Sequence, residues 1–145
     1  RQERADESLT ADVVKMRGDI ARHKPPSSPF DVKLVEGGLV DCEFTVHLLQ
    51  LRHRSAFSPR LRVAMRTLAE EGLIDPALIP AHELLTRLLV TQRLVSPASA
   101  EPPPASRDLV ARSCGEPDWA SLVKSYESAR ALVRGEWERA ATLKK

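Results

Sequence analysis

Aromatic residues are scarce in this 145-residue chain: two Trp, one Tyr and three Phe make up 4% of it. Leu and Val must therefore fill most of any core. Only two cysteines occur, Cys42 and Cys114, without metal-ligand spacing, so they read as buried free thiols in a reducing cytoplasm. The four histidines, His23, His47, His53 and His82, form no ligand cluster in sequence and read as solvated or capping groups. No apolar run approaches the ~20 residues that span a bilayer, and no charged-then-apolar signal opens the chain. Charge of one sign is also lacking: 22 basic against 20 acidic residues give a formal +2, with the signs alternating along the helical stretches. A nucleic-acid footprint needs a clustered basic face and is not expected. Phosphate-loop, nucleophile-elbow and zinc-helix motifs are missing (no Gly-x-x-x-x-Gly-Lys, Gly-x-Ser-x-Gly or His-Glu-x-x-His). Regularly spaced strands and internal repeats are missing as well.

What remains is helical periodicity broken by prolines. The composition, 42% hydrophobic and 29% charged, suits one soluble globular domain with a proper core. Leu9, Val13, Met16 and Ile20 form an apolar stripe that predicts a helix over residues 6–22. The run His23-Lys24-Pro25-Pro26-Ser27-Ser28-Pro29 ends it. Residues 31–35 alternate enough for a short extended piece, and Gly37-Gly38 turns the chain. A second helix over residues 39–53 places Val40, Phe44, Leu48 and Leu51 on one face. Ser58-Pro59 predicts a third helix start, with Leu61, Met65 and Leu68 inside and Gly72 as its terminator. Asp75-Pro76 repeats that start signal for a long helix carrying Leu78, Leu85, Leu88, Leu89, Val90 and Leu94. Residues 96–105 hold Pro97, Pro102, Pro103 and Pro104 and predict an extended connection. Ser106 is expected to cap a short fifth helix ending at Gly115. Asp118 is expected to cap the last helix, with Trp119 and Trp137 as its core anchors. The fold expected is an all-α bundle of about six helices with a short extended or turn segment around residues 31–38. Its organisation reads as an N-terminal linking helix (1–24), a Pro/Ser loop with the Gly-Gly segment (25–38), and the bundle proper (39–145).

The candidate site is the stretch from Asp31 to Phe44, Asp-Val-Lys-Leu-Val-Glu-Gly-Gly-Leu-Val-Asp-Cys-Glu-Phe. It sets Lys33, the turn Gly37-Gly38 and two carboxylates, Asp41 and Glu43, in order before an amphipathic helix. Adjacent glycines admit backbone conformations closed to other residues and allow another surface close approach. Carboxylates at a helix N-terminus are favoured by its dipole. Two readings stay open. In one, the segment faces a neighbouring domain, with Lys33 as a point-charge phosphate partner. In the other, Asp41 and Glu43 stabilise the helix start and Lys33 pairs with one of them. Basic residues on the second and third helices (Arg52, Arg54, Arg60, Arg62, Arg66) form a modest basic surface that reads as a solvated helix face.

Residues 31–44 resemble the segment of bacterial glutamine synthetase adenylyltransferase in which D-[LIV]-K is followed, after a short spacer, by G-G-[IL]-x-[DE]-x-E-F. The pair Met16-Arg17 upstream and the Leu-rich helices downstream follow the family's outline, while His47 stands where the family usually has Gln. The resemblance implies a parent with two nucleotidyltransferase units, each followed by a helical domain, one removing AMP from glutamine synthetase and the other adding it. It implies Mg²⁺ and ATP in the parent, held by a Gly-Ser turn and an Asp-x-Asp pair. Neither pattern occurs in this chain, so the resemblance implies no catalytic residue here and no cofactor bound by the chain alone. Lys33, Gly37, Gly38, Asp41 and Glu43 then become candidates to face the nucleotide or the upstream nucleotidyltransferase domain. Partners implied are glutamine synthetase, the PII signal protein and that upstream domain, in the cytoplasm. Glu36 before the glycines, and an end at Lys145 just past an amphipathic helix, are read as signs of the second, AMP-adding unit. A start at Arg1 reads as a piece of a longer protein. The alternatives are a free-standing helical interaction module and the matching domain of a PII uridylyltransferase.

Overall fold

The computed structural model describes residues 2–96 and 101–142. Among them the chain forms six α-helices and no strand, as the periodicity predicts. They are α1 (Gln2–His23), α2 (Leu39–His53), α3 (Leu61–Glu70), α4 (Leu78–Val95), α5 (Arg107–Ser113) and α6 (Trp119–Ala141), with a 3₁₀ turn at Pro104–Ser106. The longest, α6, packs on α2 and α4, is flanked by α5 and touches α1. The α1 helix lies on α2, and α3 bridges α2 and α4. Leu48, Met65, Leu68, Leu85, Leu88, Leu122 and Val133 are buried at the centre. Each such aliphatic side chain contributes roughly 1.5–3 kcal/mol by leaving water.

Local signals fix most helix ends. The Asp118 carboxylate accepts from the Ser121 amide at 2.8 Å, capping α6 as expected. Gly72, at φ +74°, ends α3: its amide donates to Ala69 and the Leu73 amide reaches back to Leu68. Other ends differ from expectation. Ser58 accepts from the Arg60 amide at 3.2 Å, two residues on, so its hydroxyl closes a turn and α3 begins only at Leu61. Asp75 likewise accepts from the Ala77 amide, and a tight turn precedes α4. Ser106 lies within the 3₁₀ turn and makes no capping bond.

The stretch expected to be partly extended is a run of turns. Leu34 and Val35 donate to the Asp31 carbonyl, Gly38 to Val35, Leu39 to Val32 and Val40 to Lys33. Val32 and Val35 are buried with no adjoining strand, so the backbone satisfies its polar groups within the segment. Of the connection expected over residues 96–105, residues 97–100 lie outside the described ones, as do the terminal Arg1 and residues 143–145. Arg107 donates to the Pro102 carbonyl and holds the far side of that connection.

Four residues placed on apolar faces by periodicity are exposed: Met16, Leu51, Val90 and Leu94. In α1 the inward stripe is Thr10, Val13, Arg17 and Ile20, one step round from the stripe of strongest hydrophobicity. Trp137 is buried and Trp119 half-buried, as anchors of α6.

Scarce aromatics are concentrated where they hold a loop. The Phe30 ring lies 5.2 Å from that of Trp119 and 5.1 Å from that of Tyr126, between ring centroids. Tyr126 donates its hydroxyl to the Pro29 carbonyl at 2.8 Å, and Gln92 donates to the Phe30 carbonyl at 3.0 Å. The Pro/Ser loop is thereby fastened to α4 and α6 just before the candidate site.

Both cysteines are free and buried. Burial pushes the Cys42 thiol from 9.0 up to about 12, with Glu43 and Asp41 adding to the rise, and raises Cys114 as well. Burial also pushes the Tyr126 phenol from 10.0 up to about 12. The folded chain thus holds these protons more tightly than the unfolded chain, so its stability falls as the unfolded state ionises. In urea unfolding these three groups are expected to add no pH dependence below about pH 9 and to lower stability from there toward about 12, with each group contributing at most about 1.4 kcal/mol per pH unit. Replacing both cysteines by Ala should delay the onset to about 10, where the tyrosine alone remains.

Candidate functional site at the Gly-Gly turn

The segment is organised from both ends by carboxylates. Asp31 accepts from the Ser27 amide at 3.0 Å and hydroxyl at 3.2 Å. Its second oxygen faces the Leu34 amide at 3.4 Å. Asp41, in the first turn of α2, is wholly buried, at 0% exposure. One of its oxygens accepts from Arg17 Nε of α1, and the other accepts from the Gly37 amide at 2.6 Å. Arg134 Nη1 of α6 stands 3.8 Å from that second oxygen. One carboxylate therefore joins α1, the turn, α2 and α6. A buried ion pair of this kind stands only with its partners intact; removing one leaves an uncompensated charge and costs about 3–5 kcal/mol.

Glycine is required at the turn on two grounds. Gly37 has φ +74°, and a Cβ there would collide with the backbone carbonyl of Arg130 on α6. Arg130 Nε also donates to the Glu36 carbonyl at 2.9 Å, so α6 presses directly on the turn. A Cβ on Gly38 would meet the Val32 and Val35 carbonyls. The glycines thus serve an approach within the chain's own fold.

The five candidate residues divide into two faces. Gly37, Gly38 and Asp41 point inward, while Lys33 and Glu43 are exposed. Among the described residues no ion pair forms to Lys33; the Asp41 carboxylate is held by Arg17 and Arg134 instead. Lys33 lines a half-open cleft of about 480 Å³ with Leu34 and Val40 on one side and Asp19, Ile20 and His23 of α1, with Lys24 just past its end, on the other. Sequence reading named Arg17 only as half of a pair and missed Arg130 and Arg134. The signal for Arg17 was its place in the 10-13-17-20 stripe; the two on α6 left none, since their partners lie far along the chain.

The carboxylates near the turn do not fit a magnesium–triphosphate site. Asp31 is taken up by Ser27 and Leu34, Asp41 by arginines and Gly37, and Glu43 stands singly on the surface. Among the described residues no three His, Cys, Asp or Glu side chains gather to hold a metal. No described helix is long and apolar enough to cross a membrane. The Arg-rich surface is also partly consumed. Arg52, read as solvated, donates to Thr10 Oγ1 at 2.8 Å and to the Ala140 carbonyl, tying α2 to α1 and α6. Arg62 pairs with Glu83 at 2.9 Å.

Fold and site together define a helical domain whose glycine turn is locked from behind and open in front. The chain is a relative of one region of the bifunctional glutamine synthetase adenylyltransferase/adenylyl-removing enzymes. It is 34% identical over 148 residues to that of Caulobacter vibrioides, covering 95% of this chain and 15% of that protein. It is 33% identical over 140 residues to that of Brucella suis, covering 90% and 14%. The Xanthobacter autotrophicus enzyme is 32% identical over 154 residues, 95% and 15%. The chain thus spans about 15% of the length of these relatives. No family model and no solved structure matches it.

The two faces are separable by mutation. Asp41→Ala is expected to lower the unfolding free energy by about 3–5 kcal/mol. Lys33→Ala, on the exposed face, should change it by less than about 0.5 kcal/mol. Urea denaturation of the two variants checks this, and equal losses would remove the distinction. Gly37→Ala should cost well over the ~1 kcal/mol expected for an αL position in open space. Gly72→Ala, where a Cβ would meet nothing within 4 Å, supplies that reference.

Proposed function

We propose that this chain is the helical, non-catalytic domain attached to the AMP-adding nucleotidyltransferase unit of an enzyme that adenylylates and deadenylylates glutamine synthetase. The observation that carries the reading is similarity over nine-tenths of this chain to a region of only about 15% of such enzymes. The carboxylates at the glycine turn support a non-catalytic role, because the chain's own arginines and amides occupy Asp41 and Asp31. In this reading ATP and Mg²⁺ bind on the upstream nucleotidyltransferase unit, in the cytoplasm. The domain orients that unit toward glutamine synthetase and offers a surface to the PII signal protein. Glu36 before the glycine pair favours the AMP-adding copy. The exposed face carrying Lys33 and Glu43 turns toward the upstream unit, and the buried Asp41 hub keeps that face in shape.

The purified chain is expected to transfer no AMP to glutamine synthetase, whereas the full-length parent does so with ATP and Mg²⁺. Radiolabel transfer from [α-³²P]ATP checks both, and detectable transfer by the chain alone would refute the non-catalytic role. In the full-length parent, Lys33→Ala should slow the transfer. Normal transfer with unchanged nucleotide affinity would remove Lys33 from any contact with nucleotide phosphate.

A further inference from the structure

The cleft in front of the glycine turn has a composition that selects its occupant. Its floor is apolar and assembled from three elements: Ile20 from α1, Leu34 from the turns and Val40 from α2. Its rim is basic, with Lys24 and Lys33 on opposite sides; His23, the last residue of α1, has its Nδ1 2.8 Å from the Asp19 carbonyl. The one carboxylate in its lining, Asp19, already accepts from Arg22 and lies 3.9 Å from Lys15. The volume of about 480 Å³ lies within the range of ligand sites. A small-molecule site, however, needs a few fixed polar groups converging on its ligand. Here the cationic groups sit on flexible stems at the exposed rim, a geometry suited to steering rather than to fixing an orientation.

The apolar floor also continues outward. Met16 lies one turn before Ile20 on α1, and Lys24, just past the end of that helix, donates its amide to the Ile20 carbonyl at 2.7 Å, so positions 16, 20 and 24 follow one line. Met16 is 57% exposed, although its place in the sequence suits a core position. An exposed methionine beside an apolar floor and a basic rim is the pattern of a surface that receives a side chain from another polypeptide.

We propose that this cleft docks an acidic segment of the longer parent chain, one that seats an apolar side chain on Ile20, Leu34 and Val40 while flanking carboxylates pair with Lys24 and Lys33. This deepens the reading of the Lys33 face given above and rests on it. Charge complementarity names the chemistry. The source is the parent itself, because the relatives carry this region within a polypeptide several times its length. The docked segment bridges α1 and the glycine turn, which the Asp41 carboxylate ties together from below.

Cysteine accessibility, read by peptide mapping at position 24, tests this, because Cys42 and Cys114 are both buried and this region supplies little background. Lys24→Cys is introduced into the 145-residue chain and into the full-length parent, and its reaction with a fluorescent maleimide is timed. In the chain alone the new thiol should react at the rate of an exposed cysteine. In the parent it should react at least about tenfold more slowly, the equivalent of about 1.4 kcal/mol of protection. Adding Lys33→Glu, or raising the salt to a level that screens exposed charges, should restore the fast rate in the parent. Equal rates in the two chains, with the parent still transferring AMP, overturn the docking while leaving the proposed function in place. Protection that neither salt nor Lys33→Glu relieves overturns the acidic chemistry. A parent that transfers no AMP to glutamine synthetase is the separate failure of the function itself, and a coding sequence confined to these residues overturns both.

Discussion

A single carboxylate without access to water organises this domain. Asp41 is positioned by the first turn of α2, and its two oxygens are shared among Arg17, the Gly37 amide and the more distant Arg134. The pairing is not a large source of net stability, since both ions lose their hydration on folding. Its effect is on specificity. An arrangement that misplaces α1, the turn or α6 leaves a buried charge alone, and the penalty for that is larger than most single packing defects. The hydrophobic core, rich in Leu and Val, gives cohesion without much direction; the carboxylate and its arginines supply the direction.

The same hub explains how an exposed surface can have a defined shape while resting on loops. Behind the turn, the amides of Leu34, Val35, Gly38, Leu39 and Val40 pair with carbonyls of the same segment, and the Glu36 carbonyl is taken up by Arg130 of α6. The Phe30 ring, stacked on Tyr126 and tilted against Trp119, fixes the loop that enters the segment. In front, Lys33, Glu43 and the cleft beside α1 remain free for another surface. The carboxylates at this site are taken up by the chain's own arginines and amides, and the chain is similar to one region of much longer adenylyltransferases.

Much of the architecture was legible in the sequence because the signals were local. Gly72, Gly115 and Asp118 marked helix ends correctly, since the conformations and hydrogen bonds they provide depend on neighbours within a few residues. Ser58, Asp75 and Ser106 were displaced from their expected roles because short polar side chains serve tight turns as readily as helix caps. The extended piece at residues 31–35 was misread because a short apolar alternation does not distinguish a strand from a buried run of turns. The site was legible as a place and less so as a mechanism. Asp41 could be named from the motif, but its partners Arg17 and Arg134 lie on helices 24 residues upstream and most of the bundle downstream. A polar residue on a buried stripe, as Arg17 is, was the available hint. Exposed Met16 and Leu94 went the other way, as apolar residues that periodicity placed inside.

The contact between Gly37 and the Arg130 carbonyl acts as a mechanical detent. With no side chain in the gap, α6 nests against the turn at one height only. Sliding the helix by a residue would bring a different carbonyl to the notch and carry Arg130 away from Glu36. Less than two turns further along, the same helix presents Glu136 to the Asp75 amide at 2.5 Å. A load applied at the glycine pair is therefore delivered through α6 to the turn that leads into α4.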